Sequence, residues 1–187
     1  MREGTKMVVV LSLVGGLSGA SLAGVYRFAL PLIEKNQRLE LKRAIFEVLP
    51  QSVKYRKIEK RGEVIYEGLD KEKNLVGYAI MGKGPGYQGE IKLILGVAPD
   101  LKEIKGIEVI EMVETPGLGA RIDSPEFKEK FRGLFASPKV VLGRRGKREG
   151  EVEALTGATI SSRSVVRIVN EALKRLRKAL KEGNENQ

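Results

Sequence analysis

The stretch Leu155-Thr156-Gly157-Ala158-Thr159-Ile160-Ser161-Ser162 decides how this chain is read. It stands directly before a long helical pattern, residues 160–181, in which Val165, Val169, Ala172, Leu173, Leu176 and Leu180 form one apolar stripe. The helix therefore starts on small and hydroxyl-bearing residues. The first N–H groups of a helix have no acceptor within it, and the helix dipole is positive there, so the spacing favours an anion beside Thr159. Gly157 and Ala158 let the backbone approach such a ligand closely, and Ser161 and Ser162 add hydroxyl donors. The same residues admit a second reading, in which Thr159 or Ser161 merely caps the helix.

Upstream of this stretch the pattern changes from helical to extended. Strand-like runs occupy 53–58, 63–67, 75–81, 90–98 and 104–113, rich in valine, isoleucine and tyrosine. In the fourth run Ile91, Leu93 and Leu95 alternate with Glu90, Lys92 and Ile94, and Pro99-Asp100 turns it into the fifth as a hairpin. Ser124 and Pro125 fit the N-cap and first position of a short helix reaching about residue 135, with Phe127, Phe131 and Leu134 on one face. Residues 139–142 are a further strand candidate and 143–150 a charged loop. The expected fold class is α+β, an antiparallel sheet with flanking helices.

Two loops stand out among these elements. In Glu114-Thr115-Pro116-Gly117-Leu118-Gly119, Pro116 and Gly117 predict a type II turn with Gly117 at positive φ. A tight small-residue loop of this kind can lie flat against a planar ring, or can be an ordinary loop with a surface carboxylate. In Gly84-Pro85-Gly86-Tyr87-Gln88-Gly89-Glu90-Ile91 the glycines mark a bend before a strand, and Tyr87 either contacts a ligand or fills the core.

Residues 7–26 are twenty consecutive uncharged positions, long enough as a helix to cross a bilayer core of about 30 Å. Gly15, Gly16, Gly19 and Gly24 suit close packing against another membrane helix. A cleavable signal peptide is the competing reading, but the apolar run resumes at Phe28-Ala29-Leu30, longer than a signal core. The expected organisation is a leader and membrane anchor at 1–30, closed by Pro31, then an amphipathic connecting helix at 31–50. A domain at 51–183 on the far side of the cytoplasmic membrane and a tail at 184–187 complete it.

Net charge is +10, yet only 5% of residues are aromatic and no nucleic-acid-binding signature occurs, so nucleic acid is not an expected partner. The chain contains neither cysteine nor histidine. Thiolate and imidazole metal sites, histidine-held haem and Ser/His/Asp catalysis are thereby excluded, and no metal ligand or catalytic residue is assigned. The basic groups Arg144, Arg145, Lys147, Arg148 and Lys174, Arg175, Arg177, Lys178, Lys181 read as solvated surface, the latter near a helix C-terminus that favours cations.

Thr156-Gly157-Ala158-Thr159-Ile160-Ser161 resembles the S/T/D-G-A-T-x-S/T signature of the FMN-binding domain family. That family includes the G subunit of Rnf electron-transport complexes and the C subunit of sodium-translocating NADH:quinone reductases. The 114–119 loop is similar to its E-T-P-G-L-G loop, residues 86–91 to its G-Y-x-G-x-I segment, and Phe127 and Phe131 to its F-x-x-x-F spacing. Met112 stands where the family usually has histidine. The resemblance implies FMN carried through a phosphoester on Thr159, with Thr156, Gly157, Ala158, Ser161 and Ser162 around the phosphate. It further implies that Glu114, Thr115, Gly117, Leu118 and Tyr87 line the ring. It implies a single-pass electron-transfer subunit of an ion-translocating complex, most like the Rnf G subunit, rather than a stand-alone enzyme. Its partners would be the other subunits and a flavin transferase that installs the cofactor. The quinone-reductase subunit, and a cofactor-free membrane-anchored binding module, are the alternatives.

Overall fold

The computed structural model describes residues 2–143 and 149–181. The chain divides into two units, residues 1–40 and 41–187. The first unit consists of the greater part of helix α1, Arg2–Val48. Among the described residues α1 is the one helix long and apolar enough to cross a membrane, with a mean hydropathy of 2.0 in its most apolar window. Pro31 was expected to end this segment, but it lies inside the helix. Proline removes one backbone donor yet fixes φ near the helical value, so a helix with strong formers on both sides can run through it.

The second unit is built on a six-stranded sheet, β1 (Lys54–Lys60), β2 (Glu63–Leu69), β3 (Leu75–Pro85), β4 (Glu90–Val97), β5 (Glu103–Met112) and β6 (Leu134–Phe135). The strands lie in sequence order and every pair is antiparallel. β4 and β5 form the hairpin that Pro99-Asp100 predicts. Ser124 caps helix α2, Pro125–Glu129, by accepting a hydrogen bond from the Phe127 N–H at 3.4 Å.

That helix is shorter than expected. Gly133 adopts φ +72°, its N–H donates to the Ile104 carbonyl, and Leu134 and Phe135 pair with β5 instead of continuing the helix. Satisfying the open edge of β5 outweighs another helical turn. The expected 139–142 strand is β7, Val141–Gly143, and it pairs in parallel with β8, Glu151–Glu153, which the sequence pattern does not reveal. The basic group at 144–148 and the tail at 184–187 lie outside the described residues.

Sheet alternation sends neighbouring residues to opposite faces. One face carries Ile65, Ile80, Ile91, Leu93 and Leu95 and packs under helix α3, Thr159–Lys181, through Val165, Ile168, Val169, Ala172 and Leu176. The other face carries Tyr66, Ala79 and Ile94 and packs under Ala44, Ile45, Val48 and Leu49 at the end of α1. Ile94, which alternation places with Glu90 and Lys92, is therefore fully buried, because both sides of the sheet are covered. Burial raises the Tyr66 phenol above its ordinary pKa, with Tyr55 adding to the effect.

Phe127 and Phe131 are wholly buried and meet edge to face at 5.4 Å. Two of the arginines read as surface are structural. Arg177 donates to the carbonyls of Leu101, Ala136 and Pro138, tying α3 to the β4–β5 turn and to the chain after β6, and burial lowers its pKa. Arg175 holds Glu63 at 2.7 Å and the Met81 carbonyl at 2.6 Å.

Candidate functional site

The three sequence motifs converge at the N-terminal end of α3. Antiparallel pairing of β3, β4 and β5 places the bend after β3 beside the loop after β5. Packing of α3 across β3 brings Thr159–Ser161 to the same edge. A cleft of about 400 Å³ lies between them, lined by Tyr87, Thr115, Leu118, Gly119 and residues 157–161. Small-molecule sites span about 300–1,000 Å³, so this one lies at the lower end of that range.

One side chain joins all three motifs. Glu114 is buried, and its Oε1 accepts a hydrogen bond from the Tyr87 N–H at 2.5 Å. Its Oε2 accepts one from Ser161 Oγ at 3.0 Å. Two glycines make room for it. A Cβ on Gly86 would collide with Oε1, and one on Gly119 with Oε2. Glu114, expected beside a ring, is not among the residues lining the cleft; its carboxylate accepts from two donors that the bend and α3 offer it. Both glycines of the bend and loop are thus tied to a chemistry that turn propensity alone does not reveal.

The 115–118 turn has the predicted form. The Leu118 N–H donates to the Thr115 carbonyl at 3.2 Å, and Gly117 sits at φ +74°. Gly117 supports the turn from outside the cleft, whereas Thr115 and Leu118 face it. Tyr87 is 63% exposed and lines the cleft, so it does not fill the core. Ile160 and Gly119 line it too, and sequence reasoning missed both. The half-exposed Ile160 at the start of an otherwise amphipathic helix was the available signal.

At the helix start, Gly157 adopts φ +81°, a left-handed conformation that only glycine takes freely, and it turns the chain into α3. Ala158 is buried and its carbonyl accepts the Ser162 N–H at 2.9 Å. The N–H groups of Thr159, Ile160 and Ser161 find no backbone acceptor among the described residues. Thr159 is exposed, and its hydroxyl makes no hydrogen bond among them. Ser161 gives its hydroxyl to Glu114. Neither residue caps the helix.

Ser162 is placed otherwise than expected. It is fully buried beneath the cleft, accepting from the Leu155 N–H at 3.1 Å and donating to the Ala158 carbonyl at 2.9 Å. It shapes the turn, because both of its hydrogen bonds go to main-chain atoms of residues 155 and 158 rather than into the cleft. Thr156 also lies outside the cleft lining, and its carbonyl accepts from Arg121 Nη1 at 3.1 Å. Arg121 was not foreseen, since its partner is a main-chain atom 35 positions away.

These residues fit a phosphate-bearing ligand with a flat apolar body. Three N–H groups are free at a helix start, an uncommitted hydroxyl stands among them, and Tyr87, Leu118 and Ile160 offer exposed apolar surface alongside. Such a site belongs to the class of flavin phosphate-binding domains, and the FMN-binding domain family matches residues 86–174. The chain is 33% identical over 180 residues to the G subunit of the ion-translocating oxidoreductase complex of Methanosarcina acetivorans, covering 92% of this chain and 94% of that protein.

It is 29% identical over 161 residues to the G subunit of the proton-translocating ferredoxin:NAD(+) oxidoreductase complex of Clostridium ljungdahlii, covering 86% and 84%. Its fold is similar to that of the C subunit of the Na(+)-translocating NADH-quinone reductase of Parabacteroides distasonis, with a TM-score of 0.55 and 27% identity over 63% of this chain and 62% of that one. The chain belongs to the G-subunit family of ion-translocating oxidoreductase complexes of the Rnf type.

Proposed function

We propose that this chain is a single-pass, membrane-anchored electron-transfer subunit of an ion-translocating redox complex, carrying FMN through a phosphoester to Thr159 Oγ. The observation that carries the reading is the Thr159 hydroxyl itself, exposed, unbonded among the described residues and seated at the first residue of α3 beside free N–H groups. When bound, FMN supplies the redox chemistry. The protein's share is placement. The N–H groups of residues 159–161 and the dipole of α3 neutralise a phosphate. Tyr87, Leu118 and Ile160 exclude water from one side of the ring. Glu114 holds the two loops at a fixed distance from Ser161.

Among the described residues no side chain lining the cleft is in position to take the Thr159 proton, which favours installation by a separate flavin transferase. The anchor is the apolar part of α1, and the domain from residue 51 onward lies outside the cytoplasm, where a tether prevents loss of the cofactor. The other subunits of the complex are its partners, as the names of its relatives imply for them.

Peptide mapping by mass spectrometry of the full chain isolated from its own membranes tests this reading. An FMN-sized adduct on the peptide containing Thr159 is expected, absent from Thr159→Ala and retained in Thr159→Ser. An unmodified peptide, with the transferase shown to be active on another substrate, would overturn it and favour the cofactor-free module.

A further inference from the structure

Beyond its first turn, α3 borders a second concavity. A groove of about 440 Å³ runs between this helix and β7. Val140, Val141 and Val166 give it an apolar floor, while Lys139, Arg163, Arg167 and Lys174 stand along its walls with Glu171 as the one carboxylate lining it among the described residues. Lys139, Arg163 and Lys174 make no ion pair or hydrogen bond among the described residues. Arg167 donates to the Pro85 carbonyl at 2.6 Å and has no carboxylate partner among them. Elsewhere on the domain Lys92, Lys105, Lys128 and Lys130 each hold a carboxylate within 3.3 Å, whereas Lys57, Lys83 and Lys102 stand as scattered cations with no carboxylate partner among the described residues. In the groove positive charge is left over.

Its strand edge is also open. Val141 and Gly143 turn their peptide groups to β8, the Val141 N–H donating to the Gly150 carbonyl and the Gly143 carbonyl accepting from Ala154. Peptide groups alternate along a strand, so those of Val140 and Leu142 face α3. Asn170 satisfies Val140 as a strand would, its Oδ1 accepting the N–H at 2.8 Å and its Nδ2 donating to the carbonyl at 2.9 Å. The N–H and carbonyl of Leu142 have no partner among the described residues. An unpaired edge of this kind recruits an extended chain.

We infer that the groove receives an extended acidic segment of a partner protein, lying against Leu142 with its carboxylates toward Arg163, Arg167 and Lys174. Charge complementarity selects the sign of the occupant, and the open strand edge beside an apolar floor selects a peptide chain over a planar lipid surface. Arg163 follows Thr159 by four residues, about 6 Å of helical rise, so the bound segment starts one turn from the cleft. The inference rests on the reading of the chain as a subunit of a complex.

The test is photo-crosslinking in native membranes, with a benzoylphenylalanine replacing Val141 in the full chain and the crosslinked peptide identified by mass spectrometry. The expected product is an acidic segment of another polypeptide, with yield falling at high salt and about tenfold in Arg163→Glu/Lys174→Glu. The milder Arg163→Gln/Lys174→Gln is expected to fall partway, which guards against a folding defect in the reversal variant. Flavin on the Thr159 peptide is read in the same samples and is expected to be unchanged, so failure of the groove is separable from failure of the flavin reading. Crosslinks to lipid alone, to a neutral or basic segment, or at unchanged yield in the reversal variant would overturn the inference. So would no crosslink from a chain that carries its flavin.

Discussion

Five antiparallel ladders hold the main sheet, and apolar layers cover both of its faces, whereas the loops that frame the cleft meet through one carboxylate and two glycines. Each ladder bond is one of many and is backed by packing. Among the described residues, each Glu114 bond is the sole side-chain hydrogen bond between its loop and α3 or between the two loops. The sheet therefore sets where the three motifs lie, and Glu114, together with Arg167 on the Pro85 carbonyl, sets how far apart they stand. Variants in these two regions are expected to separate global stability from cleft geometry.

The largest effect is expected in the layer under α3. Phe127→Ala removes a fully buried ring that meets Phe131 edge to face, and a cost of about 3–5 kcal/mol is expected. Urea unfolding followed by circular dichroism measures it. A loss below about 1 kcal/mol would mean that the sheet does not dominate stability in the way the comparison requires.

Glu114→Ala comes next. It leaves the buried Ser161 hydroxyl and the Tyr87 N–H without their acceptor, an expected cost of about 2 kcal/mol. The signature is regional. Amide exchange at Tyr87 and across 115–119 is expected to speed up while amides of β4 do not, and the share of flavin-bearing protein is expected to drop. Glu114→Gln keeps an oxygen for the Tyr87 N–H and can pair its NH2 with Ser161 Oγ, so it should lie close to the unchanged protein. Equal loss in both variants would show that charge rather than the two hydrogen bonds fixes the loops.

Ser162→Ala is expected to cost about 1 kcal/mol. It removes the acceptor of the Leu155 N–H and the donor to the Ala158 carbonyl in a fully buried position. Thr159 lies three residues earlier, so flavin attachment rates after refolding discriminate a turn-shaping role from direct contact with phosphate. A defect in rate that disappears at saturating transferase supports the former.

The strands of the main sheet were legible because β-branched residues mark them, and the hairpin because Pro99-Asp100 lies between two such runs. Both Phe127 and the α3 stripe followed from helical spacing. What escaped depended on atoms far apart in sequence. Alternation puts Ile94 on the face of Glu90 and Lys92 but cannot tell that the end of α1 covers that face. The short α2 escaped because the edge of β5 that ends it lies some thirty residues upstream. The motifs marked the cleft, yet the roles within it divided by direction. Thr159, Tyr87, Thr115 and Leu118 face outward, while Glu114 and Ser162 turn in, and a one-dimensional motif carries no sign for that choice.

The smallest effect tests whether charge on the domain's outside contributes to its frame. Lys128 holds Glu108 at 2.8 Å and Asp123 at 3.1 Å, linking β5 to the 3-10 turn at Gly119–Asp123 that follows the cleft loop. Burial pushes its ammonium down, but the hydrogen bonds to both carboxylates outweigh burial and leave the pKa above the ordinary lysine value of 10.5. A cation with a raised folded pKa contributes its full stability below the unfolded value and loses it as pH rises through the folded one. The stability gap between the unchanged protein and Lys128→Met should therefore be constant from neutral pH to the ordinary lysine range and close above it. Its size is expected to be about 0.5–1 kcal/mol, because Asp123 is nearly half exposed and solvent screens the pair. Taking the difference between the two proteins cancels the alkaline titration of Tyr66 and Tyr78, whose raised pKa values weaken both folds in the same direction. A gap that persists unchanged at the alkaline end would assign the contribution of Lys128 to its aliphatic stem packing rather than to its charge.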